Sequence, residues 1–206
     1  MKLSTTAFPD SGVIPAELAF GAIDADAHVK LSGNRNPDLT WSGLPAGTKS
    51  LAVLCHDPDV PSKGDDVNKE GRNVPASLPR VDFFHWVLVD LRPDTPPIER
   101  GEFSTGVTAR GKPGPHAPRD ARQGINDYTG WFAGDKDMVG NYFGYDGPCP
   151  RGTTRSLIAT CSRCMHSTCR GSTWRGSSGA AMSAKRWQGT SLQKLRSPAA
   201  MRSIRL

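Results

Sequence analysis

Two apolar runs of strand length dominate the hydrophobic pattern. Leu51 to Cys55 is continuously apolar and then turns polar at His56-Asp57-Pro58-Asp59-Val-Pro61. Phe83-Phe-His85-Trp-Val-Leu-Val-Asp90 carries a single histidine inside an otherwise hydrophobic stretch. Runs of this length without alternation predict strands covered on both faces. The first is expected to end near Cys55 and to deliver two aspartates and two prolines at its exit. The second is expected to span Phe83 to Val89. Residues 62–80 between them are polar, with Lys63-Gly-Asp-Asp and Lys69-Glu-Gly-Arg, which predicts a surface loop joining paired strands.

The rest of the pattern is punctuation. Gly12, Pro15, Gly21, Gly33, Pro37, Pro45 and Gly47 recur too closely for a helix, so residues 1–50 read as loops and short strands. Asn36 to Trp41 is expected to be extended with a buried aromatic, followed by a turn at Leu44-Pro-Ala-Gly47-Thr. Residues 92–135 are loop-rich, Tyr142 to Pro150 closes as a rigid turn, and no convincing amphipathic helix precedes residue 180. These elements predict a mainly β, turn-rich domain.

Composition agrees and adds a boundary. A chain of 206 residues suits one domain with a real core. An apolar content of 36% with Gly 22 and Pro 17 favours short strands over long helices. Met1 to Asp10 has no hydrophobic h-region and no stretch approaches eighteen apolar residues, so neither a secretory signal nor a membrane span is expected. Five cysteines give no even disulfide framework, which points to a reduced, cytoplasmic setting. The net charge of +6 conceals a split. Residues 151–206 hold nine Arg, two Lys and no Asp or Glu, whereas residues 1–150 hold 15 basic and 20 acidic groups. The chain therefore reads as two parts, 1–150 and 151–206.

If the two strands are neighbours, Asp57, Asp59 and His85 converge at one end of a sheet. An imidazole beside a carboxylate has its charged form favoured, so His85 is expected as an imidazolium that could meet a phosphate. Asp57 or Asp59 could orient that ring or accept from an ammonium. Turns at Pro58, Pro61 and Gly147 could leave backbone N–H groups pointing at an anion. On the residues alone, Asp-Pro-Asp-Val-Pro is more often a turn with aspartate capping its own backbone, and His85 more often a satisfied core histidine. Trp41, Trp86 and Trp131 read as core or pocket wall, and Lys112 with His116 as a solvated loop or a basic lid. A Cys–His nucleophile scheme through Cys55, His56, His85 and His116 is the catalytic alternative, but Cys55 is flanked by apolar residues as an inert core thiol is. No Gly-x-Ser-x-Gly elbow occurs and the histidines lack metal-ligand spacing. A hydrolase, a metal or a cofactor is not expected.

Four motifs in order and register, Asn36-Pro-Asp-Leu-Thr-Trp41 with Pro45-Ala-Gly-Thr-Lys-Ser50, Asp57-Pro-Asp-Val-Pro61, His85-Trp86, and Gly147-Pro-Cys-Pro150, resemble the phosphatidylethanolamine-binding protein family, in particular its bacterial Raf-kinase-inhibitor-like branch. The resemblance covers about residues 1–150. It implies a β-sandwich with Greek-key topology and a small anion pocket, lined by Asp57, Asp59 and Pro61 on one side and His85 at the floor. Gly147, Pro148 and Pro150 would cross its mouth. It further implies a non-catalytic protein that binds a phosphoryl ligand or phospholipid head group and has a possible regulatory role. The alternative is an inhibitor-like protein whose loops contact a kinase or protease. Neither reading involves nucleic acid.

The resemblance stops at Pro150. Cys161-Ser-Arg-Cys164 with His166 and Cys169 reads superficially as a zinc and nucleic-acid tail. Family members instead follow Gly-Pro-Cys-Pro with a segment ending in an HRY-like strand that supplies a second histidine. Taking the third base of each codon with the first two of the next, synonymous choices let the tail from Arg151 encode WNDEIPHRYVFTVYAFDV, and from Gln188 GHVLAEASLTGRY. Loss of one C at the Pro150 codon would produce the sequence as written. Residues 151–206 are therefore expected to be out of frame, with an empty sheet position where that strand belongs and a defective C-terminal part.

Overall fold

The computed structural model describes residues 1–10, 12–67 and 71–149, together with the backbone of a strand at 161–167. The described part is mainly β. Strands β1 (Lys2–Ser4) and β4 (Thr40–Ser42) pair antiparallel, as do β2 (Gly21–Asp24) and β3 (His28–Leu31). A four-stranded sheet holds β5 (Ser50–Pro61), β6 (Arg80–Leu91), β7 (Arg122–Gln123) and β8 (Cys161–Ser167) in the order β7-β6-β5-β8. One short helix, α1 (Tyr128–Trp131), was not legible in the residue pattern.

The two apolar runs form β5 and β6, and each strand is longer than its apolar stretch. β5 continues through Asp57-Pro58-Asp59 to Pro61 instead of ending at Cys55. Both faces of the pair are covered, as the continuous apolar runs required. Leu51, Val53, Cys55, Trp86, Leu88 and Leu91 join Ile98 and Phe103 in one buried cluster, and Ala52, Leu54, Phe84, Val87 and Val89 form the cluster on the other face. Burying each large side chain here stabilises the fold by roughly 1.5–3 kcal/mol. Trp41 packs against the first cluster but is only half-buried. The turn after Leu44 closes as expected, with Thr48 N donating to Pro45 O at 3.2 Å.

The β5–β6 ladder is not regular, and its irregularities matter. Cys55 pairs with Trp86 and His56 with Phe84, so His85 is an extra residue on β6. Asp57 pairs with Phe83 and Val60 with Val81, which leaves an extra residue on β5 within Pro58–Asp59. Each is a β-bulge, a device that bends a strand and re-aims a side chain. This is why Phe84 and Trp86, two apart in sequence, fall in clusters on opposite faces.

The expectation of an empty position beside β5 is not met. Cys161–Ser167 pairs antiparallel with Ser50–His56. Backbone pairing asks little of side chains, and the N–H and C=O groups of a buried strand must find partners. Apart from this strand, residues 150–206 lie outside the described residues, and so does the proposed zinc ligand Cys169.

Candidate ligand site

The bulge at His85 sets its ring on the side of Phe83, with ring centroids 5.0 Å apart. Tyr128, the first residue of α1, covers both: its ring lies 5.8 Å from His85 and 5.1 Å from Phe83. Asn126 starts the helix by accepting from Tyr128 N at 3.0 Å. Phe20 stacks on the other side of Tyr128 at 4.4 Å. Trp131 extends the aromatic wall to an exposed edge 6.2 Å from Phe83.

A loop at residues 145–149 closes over this wall and is fastened at every step. Asp146 N donates to His85 O at 2.9 Å, while His85 Nδ1 lies 2.8 Å from Asp146 O, so the bulged residue and the loop bond reciprocally. Gly147 N donates to Asn34 Oδ1, and Gly147 O accepts from Tyr128 Oη, both at 2.8 Å. Phe20 N donates to Pro148 O at 2.9 Å. Gly147 packs so closely that a Cβ there would sit 2.0 Å from Leu18 O.

Beneath the loop lies a polar knot that the sequence did not reveal. The Asp146 carboxylate, 1% exposed, accepts from Asn34 Nδ2 at 2.7 Å, Asn126 Nδ2 at 2.8 Å and Lys112 Nζ at 2.5 Å. Lys112 is thus a half-buried ion-pair partner of a buried carboxylate and not part of a solvated loop or lid. Burial raises the Asp146 carboxyl pKa; Lys112 and the two amides oppose that shift without cancelling it.

The electrostatics of His85 reverse the expected imidazolium. The ring is 3% exposed, and burial pushes its pKa down to about 4. The carbonyls of Asp146 and Gly147 act against that shift, and His56 adds to it. A carbonyl can only accept, so Nδ1 carries the hydrogen of a neutral ring. The backbone donors expected to face an anion are also engaged. Asp59 N donates to Asp57 Oδ1 at 2.8 Å, the self-capping turn, and Gly147 N serves Asn34.

Of the residues singled out from sequence, Asp57 is 2% exposed and pairs with Phe83, two residues along β6 from the bulged His85. Gly147 and Pro148 form the closing loop. Pro61 is buried at the end of β5 opposite Arg80. Asp59 is exposed, its carboxylate 3.8 Å from Arg80 Nε. Pro150 lies outside the described residues. The histidines of the catalytic alternative do not converge: His56 stacks on Phe84 at 5.4 Å, on the opposite face from His85, and His116 is exposed. Cys55 is buried in the first core cluster. Among the described residues no group of His, Cys, Asp and Glu is placed to hold a metal ion.

The sequence model of the phosphatidylethanolamine-binding proteins matches residues 4–156. A UPF0098 protein of Methanothermobacter thermautotrophicus is 31% identical over 150 residues, 73% of this chain and 67% of the relative. The UPF0098 protein YbhB of Escherichia coli is 31% identical over 109 residues, 53% of this chain, and the match spans about half of that relative, 54%. Among solved structures, E. coli YbcL, described as a new member of the mammalian PEBP family, superposes with a TM-score of 0.53 at 20% identity, covering 82% of this chain and 78% of YbcL. The Chlamydia trachomatis homologue CT736 gives the same TM-score at 17% identity, over 91% and 84%. These structures share the fold, and with the family match across three quarters of its length, the chain belongs to the phosphatidylethanolamine-binding protein family.

Proposed function

We propose that this chain is a cytoplasmic, non-catalytic module that binds a small phosphoryl-bearing ligand, such as a phospholipid head group or a phosphorylated partner. The observation that carries this reading is the pair of β-bulges. They set buried His85 and Asp57 on one side of β5–β6, under Tyr128 and the 145–149 loop, where Cys149 packs against the Tyr128 cluster. A neutral imidazole and a carboxylate among aromatic rings can recognise and orient, and the remaining histidines and Cys55 lie elsewhere. A regulatory role would follow from ligand occupancy of this site. The test is a titration with phosphorylethanolamine, followed by NMR at the His85 imidazole and the amides of residues 145–149. Saturable shifts there, lost in His85→Ala, are expected; shifts confined to other surfaces would reject the site.

The tail is read as out of frame. The register sets Arg163 against Leu54 and Ser162 against Cys55, beside positions that are 4% exposed on β5. The shifted frame supplies VFTVYAF over the same seven positions, a β-branched and aromatic segment of the kind that fits a buried ladder.

A further inference from the structure

His85 has one ring nitrogen committed. Nδ1 donates to Asp146 O at 2.8 Å, and the neutral ring leaves Nε2 as a hydrogen-bond acceptor. Among the described residues, the groups packed around it offer no uncommitted positive charge. On its own strand and from α1 it meets Phe83 and Tyr128, whose hydroxyl donates to Gly147 O. From β5 come the buried Asp57 and, on the other face, His56, which disfavours a charged His85. From the closing loop comes Asp146, with Cys149 against the Tyr128 cluster, and the Gly147 amide is taken by Asn34. Lys112, the nearby cation, is bound to Asp146.

We propose that the site takes its phosphoryl group as the singly protonated monoanion, with the phosphoryl O–H donating to His85 Nε2. The inference rests on the phosphoryl-ligand reading and narrows it. A dianion would set lone pairs against Nε2 and bring a second negative charge into a buried site, an arrangement that burial makes costly. A monoanion brings the needed proton with it; a dianion must take one from solvent on binding. Phosphate monoesters lose that proton near pH 6, while His85 gains one near pH 4. Binding therefore weakens as pH rises above about 6.

The experiment compares methyl phosphate, which has the titrating proton, with dimethyl phosphate, a monoanion without one. Both are titrated into the full chain at pH 5 and pH 8, with the His85 imidazole nitrogens as the readout. Methyl phosphate is expected to bind roughly a hundredfold more weakly at pH 8, where about 1% is monoanion, and dimethyl phosphate to bind weakly at both. Equal or tighter methyl phosphate binding at pH 8 overturns the inference, as does dimethyl phosphate matching methyl phosphate at pH 5; the phosphoryl reading survives either result. Binding of ethanolamine alone with neither phosphate bound would make the donor an ammonium and end both readings, and so would no binding by any of the three.

Discussion

At the scale of single residues, His85 links fold and site through its proton. In the unfolded chain its pKa is near 6.5, and in the folded chain burial holds it at about 4. The unfolded state therefore binds a proton first, so the contribution of His85 to stability is complete above pH 6.5 and is lost as pH falls towards 4. The window corresponds to roughly 3 kcal/mol. Asp146 acts in the opposite sense, because a raised carboxyl pKa stabilises the folded chain as pH falls. Urea unfolding of the parent and of His85→Gln at pH 7, 5.5 and 4.5 separates the two. The parent is expected to lose about 2 kcal/mol more than the variant across this range, and equal slopes would show that the ring is not held neutral. The residues around His85 were unequally legible. Asp57 and His85 stand out because ionisable groups interrupt apolar runs. Asn34, Lys112, Asn126 and Asp146 lie in loops without periodicity, and only their meeting in space distinguishes them from solvated residues. Asn34 at φ 47° and buried is the clearest case.

At the scale of elements, the apolar runs located β5 and β6 and the covering of both their faces, since those depend on local hydrophobicity alone. The strand ends and bulges did not follow. A bulge is a property of pairing, fixed by which residues of the partner strand stand opposite, and neither Cys55–His56 nor Phe84–Trp86 carries it alone. Helix α1 is too short to show a period. The closing loop was recognised by its Gly-Pro-Cys-Pro motif, and its seating explains the glycine. A Cβ at Gly147 would meet the backbone oxygen of Leu18 at 2.0 Å, and main chain cannot swing aside as a side chain can. Gly147→Ala is expected to cost roughly 1–3 kcal/mol by overpacking and to weaken phosphorylethanolamine binding with it. Gly134→Ala, with nothing within 4 Å of the new methyl, should stay within about 0.5 kcal/mol. Equal thermal midpoints for the two variants would mean the loop is not pressed against Leu18.

At the scale of the whole molecule, the chain divides where its chemistry changes. The family match ends at residue 156, six residues after the acidic part gives way to a tail without a carboxylate. β8 shows that the sheet still recruits a strand from that tail, because β5 is buried and its backbone needs a partner. If the tail is out of frame as proposed, Cys-Ser-Arg-Cys-Met-His-Ser stands in register with Leu51, Val53, Leu54 and Cys55 in place of a β-branched and aromatic segment. A chain with one C restored at the Pro150 codon would place β-branched and aromatic residues on both faces of that strand. Each apolar side chain so buried contributes on the order of 1.5–3 kcal/mol, so the restored chain is expected to be several kcal/mol more stable. The decisive comparison expresses both chains and records denaturant unfolding alongside the gene sequence across Pro150. The restored chain should unfold cooperatively, whereas the written chain, of 22.2 kDa, should aggregate or unfold at much lower urea. A verified gene in the written frame, whose product matches the restored chain in stability, would show that β8 serves as it stands and that the frame is correct.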